Sequence, residues 1–180
     1  MSDSELVYTK PSATEAVERH TIAVLVENEP GVLARVIGLF SGRGYNIESL
    51  TVAEISTKRN ISRINVVTNG TPMIIEQIKH QLERLVPIYE VVDLTDLGPH
   101  IEREVALVKI VNDGSNRREA LRIADIFGAR VTDTTIESFV FSMTGETEKV
   151  DSFIELMKSL GEVEVARSGV VAISRGAEIL

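Results

Sequence analysis

The apolar residues between positions 20 and 94 change period in a fixed order, and that order leaves few folds open. Residues 20–26, His-Thr-Ile-Ala-Val-Leu-Val, are short and rich in β-branched side chains, which predicts a strand. From Val32 onward, Leu33, Val36, Ile37 and Phe40 fall at the i, i+3, i+4, i+7 spacing of one helical face. Gly42 and Gly44 supply the stop. Residues 47–55 and 61–68 predict two strands around a polar turn at 56–60. Thr71-Pro72 has the pattern of an N-cap followed by proline at the first helical position, with Ile74, Ile78, Leu82 and Leu85 marking a face. Residues 88–94 predict a fourth strand after Pro87. Strand–helix–strand–strand–helix–strand implies a four-stranded antiparallel sheet with both helices on one side. The opposite face and at least one edge then need cover, and a second copy of the chain is the simplest.

The same grammar returns after residue 102. Residues 104–111 predict a strand and 112–115 a capped loop. A helix is predicted over 115–127, with Leu121, Ala124 and Phe127 inward. A hairpin follows from 129–137 and 139–144, then a helix at 147–160 with Val150, Phe153, Ile154 and Met157 apolar. Residues 163–173 predict one extended segment, either an edge strand for a partner or a last strand with a glycine bulge at Gly169. The expectation is α+β: two ferredoxin-like βαββαβ domains. Its divisions are a disordered acidic tail at 1–18, a first domain at 19–95, a linker at 96–102 around Gly98-Pro99, and a second domain at 103–180.

Composition removes several functions. The net charge is −8, and nucleic-acid binding rests on neutralising phosphates, so no nucleic-acid partner is expected. Without cysteine there is no disulfide framework, thiolate metal site or thiol nucleophile. No apolar run approaches the roughly 18 residues of a membrane helix, and the acidic start fits neither a secretory signal nor a transit peptide. No membrane partner and a cytoplasmic location are expected.

The chemistry-bearing segment is the turn after the first strand. Asn28-Glu29-Pro30-Gly31 leads directly into a helix, whose N-terminus offers unpaired N–H groups and a positive potential suited to a carboxylate. Pro30 sets the turn and Gly31 permits positive φ or close approach. The amides of Asn28 and Asn46 can meet both an ammonium and a carboxylate, with Leu33, Val36 and Ile47 as apolar walls, so these residues are expected to converge on a small zwitterion. The competing reading is a Pro-Gly turn whose asparagines cap backbone. Catalytic patterns are weaker: Glu27 and Glu29 flank the turn, and His20, His80 and His100 lack metal-ligand spacing. Ser41, Ser49 and Ser115 lack triad partners, and Gly42-Arg43-Gly44 sits at a helix end rather than a start. Arg117-Arg118 reads as a solvated helix face or a site for a phosphate or a partner's acid.

Asn28-Glu29-Pro30-Gly31-Val32-Leu33, Arg35-Val36-Ile37-Gly38-Leu39-Phe40 and Arg43-Gly44-Tyr45-Asn46-Ile47-Glu48-Ser49-Leu50-Thr51-Val52 together resemble the regulatory small subunits of acetolactate synthase (acetohydroxyacid synthase). Glu102-Arg103-Glu104, Leu107-Val108-Lys109 and Val165-Ala166-Arg167-Ser168-Gly169 extend the likeness over residues 20–176. Relatives can carry Ser where this chain has Pro30. The resemblance implies an ACT domain in the first half and a homodimer through it. It also implies a thiamin-diphosphate-dependent large catalytic subunit as partner. That partner would hold the thiamin diphosphate, Mg and FAD, this chain having no catalytic residues, metal or cofactor of its own. The implied role is activation of the partner and feedback inhibition by valine, with leucine or isoleucine as alternative effectors. The implied site joins Asn28, Pro30, Gly31, Val32 and Leu33 of one copy to Asn46 and Ile47 of the other. An amino-acid-sensing transcription regulator is the alternative function, although no DNA-binding module precedes the sensor.

Overall fold

The computed structural model describes residues 16–180 except 112, 113, 115 and 178, so the expected tail falls almost wholly outside the described residues, as does most of the predicted 112–115 loop. The first half contains β1 (Glu18–Glu27), α1 (Val32–Arg43), β2 (Ser49–Ser56), β3 (Ile61–Gly70), α2 (Pro72–Glu83) and β4 (Ile88–Asp93). The strands form an antiparallel sheet in the order β2-β3-β1-β4. A four-residue helix, α3 (Leu94–Leu97), follows. The second half contains β5 (His100–Val111), α4 (Arg117–Phe127), β6 (Arg130–Thr134), β7 (Ser138–Gly145), α5 (Thr147–Lys158), β8 (Glu162–Arg167) and β9 (Val171–Ser174). Its sheet order, β6-β7-β5-β8, repeats the first permutation element for element. The α+β expectation with two βαββαβ units therefore holds.

Alternation builds each core. Ile22, Val24 and Val26 of β1 and Ile64 and Val66 of β3 point to the helix side, where they meet Val36 and Phe40 of α1 and Ile75, Ile78 and Leu82 of α2. In the second half Ala106, Val108 and Ile110 pack with Phe141, Met143, Phe153 and Met157. Thr71 caps α2 by accepting from the Ile74 N–H, with Pro72 beginning the helix as its missing donor allows. Two helical faces are rotated from the sequence expectation. In α1 the buried stripe is Val32, Val36, Leu39 and Phe40, while Ile37 faces solvent. In α4 it is Ala120, Ile123 and Ala124, while Leu121 is exposed. Both helices carry more apolar residues than one stripe can hold, so the sheet against which they pack selects the stripe.

The outer face of the first sheet is partly covered from within the chain. Ala172 of β9 packs on Ala23 and Leu94 there, with Val92 and Leu180 alongside. Residues 163–173 are not one strand. They break at Ser168-Gly169, where Gly169 has φ +81°; β8 pairs with the second part of β5, whereas β9 pairs with its first four residues. The stretch expected as a linker is also structured, since α3 ends at Leu97 and β5 begins at His100. Asp93 starts α3 by accepting from the Thr95 and Asp96 N–H groups at 3.0 and 3.4 Å.

Candidate ligand site

The turn after β1 is tied down by backbone. The Asn28 N–H donates to the Asn60 carbonyl at 2.7 Å and the Glu29 N–H to the Glu27 carbonyl at 2.9 Å. Gly31 sits at the N-cap with φ 89°, a left-handed conformation that favours glycine, and no side chain caps α1. The Val32 N–H makes only a long 3.4 Å contact with the Glu29 carbonyl, and the Arg35 N–H is the first to close a helical bond, to Gly31 at 3.1 Å. The first turn of α1 therefore presents N–H groups outward, as an anion requires. A Cβ on Gly31 would meet nothing within 4 Å, so the space ahead of the turn is open. Glu29, flagged as a carboxylate beside this turn, is neutralised: Arg35 donates to it at 2.7 Å and to the Val86 carbonyl at 2.6 Å.

Asn46 and Ile47 are set by the far end of α1. Gly44 stops that helix in a left-handed conformation with its N–H on the Phe40 and Ser41 carbonyls. Tyr45 then packs edge-on against Phe40, ring centroids 6.2 Å apart. The Asn46 carbonyl accepts from the Thr68 hydroxyl at 2.6 Å, and Ile47 packs on the first core. The side chains of Asn28 and Asn46 are exposed and, among the described residues, hydrogen-bond to nothing. The capping reading of the two asparagines is thus not what the structure shows.

One chain does not bring the two halves of the site together. Glu27 pairs with Ile61 at the start of β3, whereas Ser49 pairs with Val67 near its end. Asn28 and Asn46 therefore lie at opposite ends of the sheet, roughly 20 Å apart along β3 at about 3.3 Å per residue. The reason is the connection itself: β1 and β2 are both antiparallel to β3, hence parallel to each other, and a βαβ crossover starts its second strand at the end where the first began. The expected convergence fails within a protomer. β2 is also an edge strand, paired only with β3 among the described residues.

Sequence reasoning missed how β2 is fastened to the second half. The Val170 N–H donates to Ser49 Oγ at 2.7 Å, and Thr51 Oγ1 donates to the Val170 carbonyl at 3.0 Å. Asn65 Nδ2 donates to Thr51 Oγ1 at 3.1 Å, and Arg63 Nη2 reaches the Ala172 carbonyl at 2.9 Å. A Cβ on Gly169 would lie 2.8 Å from Ser49 Oγ and 3.0 Å from Thr51 Cγ2, so the strap 168–174 approaches β2 as closely as glycine allows. Nearby, Glu102 takes hydrogen bonds from Thr21 and from Arg19. Burial works to raise its pKa, but the Thr21 hydroxyl, Arg19 and His100 outweigh that and hold it below the usual carboxylate range.

Arg117 and His20 have structural partners. Arg117 neither faces solvent freely nor awaits an acid: its guanidinium lies 3.9 Å from the Phe139 ring centroid and donates to the Thr135 and Ile136 carbonyls. Ser115 lies outside the described residues. His20, Asp93 and Asp96 bring ligand-type atoms within 4.8 Å of one another, a grouping their sequence spacing hides. His20 Nδ1 is 2.7 Å from Asp93 Oδ2, while Asp93 Oδ1 is spent on α3 and the Lys79 ammonium stands 3.5 Å from Asp96. A metal on Nδ1 would also leave His20 Nε2–H buried without an acceptor, so the trio reads as a fastener between β1 and α3.

Comparison with known proteins accounts for both halves. Residues 22–90 match a domain described as AHAS small subunit-like ACT domain, and residues 103–176 one described as small subunit of acetolactate synthase. The chain is 43% identical over 180 residues to an acetolactate synthase small subunit of Aquifex aeolicus, covering 97% of this chain and 93% of that one. It is 45% identical over 163 residues to the isozyme 3 small subunit of Salmonella typhimurium, covering 90% and 99%. The crystal structure of the acetolactate synthase small subunit from Thermotoga maritima superposes with a TM-score of 0.80 at 36% identity, covering 89% of this chain and 99% of that one.

Proposed function

The chain belongs to the small-subunit family of acetolactate synthase, and we propose that it activates the thiamin-diphosphate-dependent catalytic subunit without being catalytic itself, and makes that subunit sensitive to valine. Valine would bind between the ACT domains of two copies. The observation that carries this reading is the split site: two unengaged asparagines and an uncapped helix start at opposite ends of a sheet whose β2 edge is open.

A second copy would repair the split. The Asn46 end of β2 begins at Ser49, and its other end, Ser56, pairs with Ile61 beside the Asn60 carbonyl that holds Asn28. Two copies joined antiparallel along β2 therefore set the Asn46 end of each against the Asn28 end of the other, twice, about one two-fold axis. In each composite site the valine carboxylate meets the N–H groups of Val32 and Leu33 with the helix dipole behind them. The amide oxygens of Asn28 and the partner copy's Asn46 take the ammonium, and Leu33 and Ile47 flank the isopropyl group. One methylene is worth about 1–3 kcal/mol in such a pocket, so leucine and isoleucine compete weakly rather than not at all. Feedback requires valine to prefer the inhibited assembly, with a coupling of about 1–3 kcal/mol typical of such systems. Thiamin diphosphate, magnesium and FAD belong to the catalytic partner in this reading.

The test is calorimetric titration of valine into the purified chain, together with valine inhibition of the enzyme reconstituted with its catalytic subunit. Saturable binding and inhibition are expected, and both should weaken at least about tenfold in Asn28→Ala. A chain that neither binds valine nor alters the catalytic subunit's rate rules the reading out.

A further inference from the structure

Beside the strap lies a groove of ≈ 550 Å³ that the proposed valine site does not use. Its floor comes from β2 and β3 of the first half, and its wall from the ribbon formed by the start of β5 with β9. Ile55, Ile101, Val171 and Ile173 stand in it between 41 and 57% exposed, a contiguous aliphatic surface rather than scattered residues. The charged residues of its lining are Arg63 and Arg103, and the lining contains no carboxylate, although the whole chain has net charge −8; Arg103, at the rim, pairs with Glu146 at 3.0 Å, which leaves Arg63 as the cation without a counter-charge among the described residues. Arg63 is half-buried, and its hydrogen bonds go to neutral oxygens, those of Asn65 and Ala172, with no ion pair. Burial lowers its pKa, the mark of a cation losing water without gaining a counter-charge.

Such a surface asks for aliphatic side chains carrying at least one carboxylate. A second copy whose two-fold axis ran through the groove would not supply them, since it would set groove on groove and bring Arg63 and Arg103 toward their own equivalents. β2 offers a copy its open edge instead, in the plane of the sheet, whereas the groove opens on the sheet's outer face. We propose that this groove is the docking surface for the catalytic subunit, which fills it with a segment of aliphatic side chains and an Asp or Glu aimed at Arg63 and Arg103. The inference rests on the regulatory reading above and gives it a place. A partner seated there touches β2, which begins beside Asn46 and Ile47, and β9 of the second half, so it meets both halves at once.

The experiment titrates the full-length chain into purified catalytic subunit, reading activation and, by sedimentation, complex formation. Ile173→Asp changes a side chain that is 57% exposed. It is expected to raise the half-activating concentration about tenfold or more, as loss of a central contact does. Valine binding and the mass of the free chain should stay unchanged. Arg103→Gln should weaken the complex less but flatten its dependence on salt. Unchanged activation by both variants overturns the proposal while leaving the regulatory reading intact. So does a fall in the free chain's mass with Ile173→Asp, which would make the groove a contact between copies. Binding of isobutyrate that Ile173→Asp abolishes, with association untouched, would make it a small-carboxylate site instead. If the wild-type chain forms no complex at all, it is the regulatory reading that fails.

Discussion

Two chains damaged at different places should repair one another. Asn28 and Asn46 are held roughly 20 Å apart along β3 at about 3.3 Å per residue, so one protomer cannot apply both to one valine. Each amide lost from a charged ligand costs about 1.5–3 kcal/mol, a roughly 10- to 150-fold rise in the valine concentration needed for inhibition. Asn28→Ala and Asn46→Ala alone should therefore both desensitise the reconstituted enzyme. Co-expressed with different tags and purified through both, the mixed dimer has one site missing both amides and one site missing neither. A one-to-one random mixture leaves about a quarter of all sites intact, half the dimers being mixed with one good site each. Calorimetry on the doubly tagged dimer should find one site of wild-type affinity per dimer, and valine inhibition should return in part. A mixed dimer as insensitive as its parents would mean that both determinants act within one chain, and the two-copy site would be refuted.

Further perturbations test the surrounding parts. Gly31→Asp puts a carboxylate where the ligand's own belongs, in the open space ahead of the turn. At φ 89° a side chain costs about 1–2 kcal/mol, so a melting-temperature drop of a few degrees is expected along with lost valine inhibition and retained activation. Gly169→Ala meets Ser49 Oγ at 2.8 Å in a left-handed conformation, and faster hydrogen exchange in β9, read by mass spectrometry, should report the loosened strap. Glu102 has its pKa depressed in the folded chain, so its stabilisation is complete above the unfolded carboxylate value and is lost as pH falls through the folded one. Melting curves should show stability declining on acidification below about pH 4.5, less steeply in Glu102→Gln; identical acid limbs for the two proteins would contradict the assignment.

What the sequence disclosed and what it hid divide along physical lines. Local signals were legible: Thr71-Pro72 starting α2, Gly44 stopping α1, and Val150, Phe153, Ile154 and Met157 facing inward from α5. Helix phase was not, wherever two apolar stripes compete, because Leu121 or Ala120 is chosen by the opposing sheet and not by the helix. The start of α1 at Val32, with no side chain capping it, was legible, whereas the separation of Asn28 from Asn46 follows from strand direction, which local pattern does not encode. The strap was least visible of all. Ser49, Thr51 and Arg63 are ordinary strand residues until Val170 and Ala172, more than a hundred positions away, come to rest on them.

The strand β5 has a consequence for how the two halves move. Its first four residues pair with β9 above one sheet and its remainder is a central strand of the other, within a single run of twelve residues. At about 3.3 Å per residue that is a beam roughly 40 Å long with no joint in it. A tilt imposed at the His100 end would reappear at the Val111 end as a larger sweep, in the manner of a lever whose short arm rests on the first sheet.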